Sequence, residues 1–463
     1  MMKRLSKIYE LLTQYISPER VMYDEAVSSA YVRDSSFLLS GIANTDFIVV
    51  QPVNVQEIQY IVRIANENKL KLLVKSMGTN LVGAAIPHNI DIVIDLKRMK
   101  YLKIDPDYEV AIVEPGVTHG ELAREARKYN FKYIGPLAPH SASVIGNIAY
   151  TSMKPGAVRY GQDQVLALEV VLPDGNVLRT GCWAFPELTD VPPYYRHAPL
   201  LDLNFLFLFT RGVFGIITKA AIRLFPMQEY DQYIVAYFNN INNMTLAAID
   251  LQHSYIPSQL LSISGTYLPR FLWEFKYIPS ELINADILIV EVEGTKKQVD
   301  VNSEIVTDII KRYGGKITDF IPYDELMKML SPSVYSPRML QPYGAMLPIV
   351  IYLPTKYVAP YIINLRKAIK DLGFESEYVI YYQYLGQNAY VEIDVHYDPL
   401  NTSIDKIKNV LNAASIIKRM YKGCSTSLSE FEKTGMYYEL ALKIKKLIDP
   451  NDILNPMRLF RGV

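Results

Sequence analysis

The chain has 463 residues, half of them hydrophobic, which is enough for two or three domains with substantial cores. Its 48 basic and 48 acidic residues cancel, so it advertises neither a cationic surface for nucleic acid nor an acidic tail. The two cysteines, Cys182 and Cys424, match no metal, redox or disulfide spacing, and a cytoplasmic, reducing setting fits them best.

The N-terminal stretch "MMKRLSKIYELLTQYI" mixes charges into its apolar positions and reads as an amphipathic helix rather than a signal peptide. No apolar run approaches the roughly 20 residues that span a bilayer. From about residue 45 to 225, strand-like runs alternate with helix-like ones: "FIVVQPV", a helix before Lys71, "KLLVKS", "DIVIDL", "VAIVEPGV", the helix "THGELAREARKYN", "VLALEVVLPDGNVLRTG" and "FGIITKAAIRLFP". In "LPDGNVLRTG" the Asp-Gly step between apolar runs predicts a hairpin closed by a tight primed turn. The aperiodic, proline-rich "GCWAFPELTDVPPYYRHAPLLDLN" reads as a long surface loop.

After Pro226 the segments lengthen. Strands such as "YIVAYFNN", "ILIVEVEG", "MLPIVIYLP" and "NAYVEIDVHYD" interleave with helices such as "KKQVDVNSEIVTDIIKRYG" and "YVAPYIINLRKAIKDLG". The order strand, helix, strand, strand, helix, strand predicts a second α+β unit with antiparallel pairing. The last segment, "YYELALKIKKLIDPNDILNPMRLF", is a helix followed by two proline turns that can return to the first unit, and no internal repeat is visible.

The stretch "KSMGTNLVGAA" spaces Gly78 and Gly83 as a Walker A loop does, but Ala84 and Ala85 follow where that loop needs a lysine for the terminal phosphates. The dinucleotide fingerprint G-x-G-x-x-G is also missing. About 60 residues later, "GPLAPHSASVIGNIAYTSMKPGAVRYGQDQ" sets Gly135, Gly146, Gly156 and Gly161 among prolines and small residues, with Ser141, Ser143, Asn147 and Thr151 as hydrogen-bond donors. Small residues let backbone approach a ligand, and backbone N–H groups bind pyrophosphate without a cation. Two such loops point to an extended anionic cofactor between them.

Taken in order, "SMGTNLVG", "VAIVEPGVTHGELAREA", "APHSASVIGNIA", "RYG", "ALEVVLPDGNVLRTG", "RGVFGIITKAAIRLFP" and "LIDPNDILNP" resemble the FAD-binding oxidoreductases of the vanillyl-alcohol oxidase and p-cresol methylhydroxylase type. That group includes glycolate oxidase and D-lactate dehydrogenase flavoprotein subunits. The resemblance implies an α+β fold: a two-subdomain FAD-binding domain over 1–226, an α+β cap with an antiparallel sheet over 227–420, and a segment 421–463 that returns to the first domain. It implies that backbone of Ser76, Met77, Gly78, Thr79, Asn80 and Leu81 holds the FAD pyrophosphate, and that Pro139, His140, Ser143, Gly146 and Asn147 run along the pyrophosphate and flavin. Gly161 and the neighbourhood of Ile217 would flank the flavin and adenine regions.

A flavin accepts a hydride, so catalysis needs a group to take the proton of the neighbouring hydroxyl. In "NAYVEIDVHYD" strand alternation places Tyr390, Glu392, Asp394 and His396 on one face and Ala389, Val391, Ile393 and Val395 on the other. The ionisable face is either a solvated outer face or part of the site; the resemblance places Tyr390 and Glu392 nearer the flavin than Asp394 and His396. Tyr381, Tyr382 and Tyr384 lie on a neighbouring run, though most of the 35 tyrosines are expected to fill cores and interfaces. Arg338 is either a substrate-carboxylate anchor or a loop-anchoring ion pair. His88, His119, His140, His197 and His253 show no metal spacing, so no metal is expected.

Three departures bear on substrate. Where the phenol-oxidising branch carries a Tyr-Arg pair, this chain has "GCSTSLSEFE", with Cys424 and Ser425. The His-Ala-Gly-Asp-Gly-Asn metal segment of the hydroxy-acid branch is missing, and no histidine of the first loop can tether FAD, so FAD is expected to be non-covalent. The expected activity is hydride transfer from a small alcohol or 2-hydroxy acid to FAD, with oxygen or another acceptor next. The alternatives are a phenol-type oxidase with an altered pocket or a non-catalytic flavoprotein-like subunit. A second copy of the chain and a redox partner subunit are the open protein partners.

Overall fold

The computed structural model describes residues 2–32, 34, 46–80, 83–136, 138–150, 164–196, 201–272, 275–330, 345–383, 387–425 and 435–456. The chain opens with α1 (Met2–Thr13), β1 (Val21–Met22), α2 (Glu25–Tyr31), β2 (Ile48–Val50), α3 (Val55–Asn68), β3 (Leu72–Lys75) and β4 (Ile92–Asp95). Asn54 accepts a hydrogen bond from the Glu57 N–H and starts α3, and Lys69 ends it in the left-handed region. The strands order as β1-β2-β4-β3. Both β2 and β3 run parallel to β4, which a helical crossover such as α3 makes possible.

A second, antiparallel sheet follows: β5 (Leu102–Asp105), β6 (Val110–Val113), α4 (His119–Arg127), β7 (Phe131–Lys132), α5 (Val144–Tyr150), β8 (Val165–Val171), β9 (Val177–Arg179), α6 (Asn204–Phe207), β10 (Ile216–Arg223) and β11 (Phe225–Pro226). Its order is β5-β6-β10-β8-β9, with β7 and β11 paired apart. The β8–β9 hairpin forms, but not through the primed turn that Asp-Gly suggested. Only Gly175 has a positive φ, of 83°, and its N–H donates to the Leu172 carbonyl. Pro173 fixes an ordinary turn ahead of it, leaving a three-residue loop. The proline-rich stretch 181–196 is likewise more than a surface loop: Trp183 is buried against Val110, Leu166, Ala167 and Ala221.

The second unit contains β12 (Tyr230–Phe238), α7 (Ile241–Ser254), β13 (Gln259–Ser264), α8 (Leu268–Phe271), α9 (Ser280–Ile283), β14 (Asp286–Gly294), α10 (Lys296–Arg312), β15 (Lys316–Thr318), α11 (Tyr323–Leu330), β16 (Ala345–Pro354), α12 (Val358–Asp371), β17 (Glu375–Gln383), β18 (Asn388–Tyr397), α13 (Ile404–Met420) and β19 (Cys424–Ser425). These build one eight-stranded sheet, β15-β12-β14-β13-β17-β18-β16-β19, antiparallel throughout. Setting aside the short helices, strand, helix, strand, strand, helix, strand occurs twice, from β12 to β15 and from β16 to β19. The halves join at β13 and β17, with Ser262 opposite Ile380 at the centre. The topology therefore contains the repeat that the sequence does not show, because a fold unit can repeat through burial pattern without repeating residues. The registers also make Glu291, opposite Gln259, the counterpart of Asp394, opposite Glu377.

One face of this sheet is covered by α7, α10, α12 and α13 in a core that includes Leu288, Val290, Ala389, Val391, Ile393 and Val395. Each fully buried aliphatic side chain there contributes roughly 1.5–3 kcal/mol, which fixes the strand register and turns the odd face of β14 and the even face of β18 away from the helices. After α14 (Met436–Ile448) the chain returns to β3. Leu72 donates to the Ile453 carbonyl, Asn455 donates to Leu72, and the Asn455 side chain accepts from Val74 and donates to Arg211. The buried Lys445 amine caps this closure through Asp449 and the Val213 and Leu454 carbonyls. Among the described residues no helix is long and apolar enough to cross a membrane.

Candidate active site

The two glycine-bearing loops, distant in sequence, come together. A Cβ placed on Gly146 would lie 2.5 Å from Ser76 Oγ, so a side chain there would displace that hydroxyl and crowd the Ser143 side chain. Ser143 holds the second loop: its Oγ donates to the Pro115 carbonyl at 2.7 Å and accepts the Gly146 N–H at 2.9 Å. Gly120 donates to the His140 carbonyl, stitching α4 to the same segment. In the first loop Gly78 adopts φ 66°, a left-handed conformation that a side-chain-bearing residue holds only with strain. Asn80 braces the turn by accepting the Ala84 N–H.

These residues fit an extended anionic cofactor. They offer close backbone and small side chains, and the buried Asn147 Oδ1 has no hydrogen-bond partner among the described residues, leaving an acceptor for a ligand N–H. Burial, then Arg127 and Arg124, lowers the His140 imidazole below its ordinary value, so at neutral pH this ring is neutral. Ser76, Met77, Thr79 and Pro139 belong to the same two loops. The Ile217 side chain is buried in the core with Val170, Phe207 and Phe214, which leaves only the backbone of its neighbourhood for that role. Leu81, Thr151, Gly156, Gly161, His197, Arg338 and Tyr384 lie outside the described residues.

In the second unit, β18 is not a solvated edge. Tyr390 and Asp394 are buried and Glu392 half-buried, so the solvated-face alternative is overturned by the cover over this side of the sheet. The register stacks Tyr352, Tyr390 and Tyr381 across three adjacent strands, with ring centroids 5.7 Å apart on both sides of Tyr390. Tyr390 donates to Glu392 at 2.9 Å. Burial raises the Glu392 carboxyl above the usual carboxylate value, and this hydrogen bond offsets only part of the rise.

His396 and Asp394 are engaged elsewhere. His396 Nε2 sits 2.8 Å from Glu377, with both side chains under a tenth exposed. At about 3.4 Å per residue, His396 stands about 14 Å along the strand from Glu392, too far to serve the same reacting atom. Asp394 accepts from Tyr267, and burial pushes its carboxyl up to about 8.

The sheet face carrying Glu392 is the one turned to the first unit. Lys132, on β7, reaches across to Glu291 at 3.0 Å and Glu293 at 2.8 Å. Glu291 also accepts from Tyr233, Ser258 and Gln259. Burial alone would raise the Glu291 carboxyl, but Lys132 and these donors together hold it below the usual value. No sequence expectation named this junction; the alternating glutamates in "VEVEG" were its signal.

Comparisons with known proteins agree with this geometry. A family described as FAD binding domain matches residues 48–181. Glycolate oxidase subunit GlcD of Bacillus subtilis is 26% identical, with 98% of this chain and 96% of that protein aligned. The 4-cresol dehydrogenase [hydroxylating] flavoprotein subunit of Pseudomonas putida is 29% identical over 59% of this chain and 57% of its own length. The crystal structure of p-cresol methylhydroxylase with substrate bound shares the fold, with a TM-score of 0.85 at 21% identity, covering all of this chain and 98% of the other.

Proposed function

We propose that the chain, which is similar to FAD-binding oxidoreductases of the vanillyl-alcohol oxidase and p-cresol methylhydroxylase type, oxidises a small alcohol or 2-hydroxy acid to the carbonyl compound. The observation that carries the reading is the Tyr390–Glu392 pair on the sheet face whose Glu291 is reached by Lys132 of the first unit. Bound FAD supplies the hydride acceptor. In this reading residues 1–226 and the returning segment 421–463 hold FAD through backbone at Ser76 to Asn80 and through Pro139 to Asn147, while 227–420 cap it.

Glu392 would take the hydroxyl proton, so that the oxygen's electron pair forms C=O as the carbon gives up its hydrogen with the C–H pair as hydride, for which bound FAD would supply the acceptor. A carboxylate raised by burial is a stronger base, which suits this transfer. Tyr390 orients Glu392 by its hydrogen bond, and the tyrosine stack excludes water from the substrate's flank. Arg338 anchors a substrate carboxylate in the hydroxy-acid case. Electrons then pass to oxygen or to a partner subunit; two relatives are themselves named as subunits.

The test is anaerobic. Purified holoprotein is mixed with a panel of 2-hydroxy acids, primary alcohols and phenols while the visible flavin band is followed. Bleaching by a hydroxy acid or alcohol supports the reading. Bleaching only by phenols assigns the phenol branch, and a band that no compound bleaches identifies a non-catalytic subunit.

A further inference from the structure

The missing Walker lysine suggested a loop that grips pyrophosphate by backbone alone, and the packing beneath that loop changes this. Lys75, the last residue of β3, folds its side chain under the turn. A Cβ on Gly78 would lie 2.6 Å from Lys75 Cε and 3.3 Å from its Nζ, so the glycine rests directly on the aminobutyl stem. The amine lies 5.2 Å from the centre of the Tyr31 ring and 3.5 Å from the Tyr31 carbonyl. The charges around it are Asp34, the largest in effect, then Asp95 and Lys97; Asp95 is also engaged by Lys97 at 2.9 Å and by Tyr31 and Gln51.

We propose that Lys75 is a half-buried cation packed against the first loop, where it strengthens binding of the FAD diphosphate. This rests on the reading that the loop Ser76 to Asn80 binds pyrophosphate. A charge held in a region of low dielectric acts over several ångströms more strongly than the same charge in water, and it needs no reorganisation when the anion arrives. Desolvation lowers the amine from its ordinary value, and a diphosphate overhead restores the preference for the charged form.

The test uses apoprotein titrated with FAD, together with the melting temperature of each apo variant. Lys75→Met keeps the stem under Gly78 and removes the charge; it is expected to weaken FAD binding about tenfold or more. Lys75→Arg keeps the charge and is expected to bind within about threefold of wild type. Wild-type affinity in Lys75→Met overturns the proposal. So does Lys75→Arg binding as weakly as Lys75→Met, which would make packing and not charge the cause. The loop reading itself fails separately, if Gly146→Val, which puts a branched side chain against Ser76 and Ser143, still fills with FAD at wild-type affinity.

Discussion

The two faces that the proposed site would bring together are built on opposite chemistry. On the FAD domain the loops present backbone, glycine and small side chains, and their hydrogen bonds are mostly spent on holding themselves in place: Ser143 to Pro115, Gly120 to His140, Asn80 to Ala84. On the cap the facing strands present tyrosines and carboxylates in a dry setting. The difference teaches a division of labour. A cofactor that every turnover reuses can be held by rigid backbone, whereas proton transfer needs a side chain whose affinity for a proton the surroundings can tune.

If that division is right, changes on the two faces separate binding from chemistry. The largest effect is expected for Gly78→Val, which puts a β-branched residue at φ 66° against Lys75 Cε; the protein should purify with less than about a tenth of the wild-type flavin. Full flavin content by absorbance would break the comparison on the FAD side. Next comes Glu392→Gln, expected to retain flavin and slow its anaerobic reduction about 100-fold; wild-type reduction rates would remove the carboxylate from the mechanism. The pH profile sharpens the same point. Glu392 is a base only when ionised, and its folded value is raised, so the reduction rate should rise with pH through a limb above the usual carboxylate range and fall below it. That limb should vanish in Glu392→Gln.

The seam itself predicts a smaller change. Lys132→Met leaves Glu291 buried without its cation and should cost about 2 kcal/mol of stability in a denaturant titration, less than a fully buried pair because the Lys132 side chain is 28 % exposed. The signs are fixed by the shifts: Glu291 is depressed, so its contribution is lost as pH falls through its folded value, while Lys132 is raised, so its contribution is lost only as alkali passes above its usual value. The smallest effect should come from Asp394→Asn. Burial already raises this carboxyl to about 8, so it is mostly neutral at pH 7, and the amide should change flavin reduction less than about threefold. Its counterpart in the other half of the sheet, Glu291, is held below the usual value by Lys132 together with Tyr233 and Ser258.

What the sequence determined by itself was local and periodic. The alternation in "NAYVEIDVHYD" fixed which residues of β18 share a face, because strand period is a property of the backbone. The Gly78 loop at a strand end announced a close backbone approach, and the linked motifs carried the fold class. What tertiary structure decided was every relation between distant segments. Gly146 meets Ser76, Lys75 lies against Gly78, Lys132 pairs with Glu291 and Glu293, and His396 pairs with Glu377 rather than joining Glu392. Burial and charge pairing depend on what packs over a residue, and one-dimensional order does not contain that.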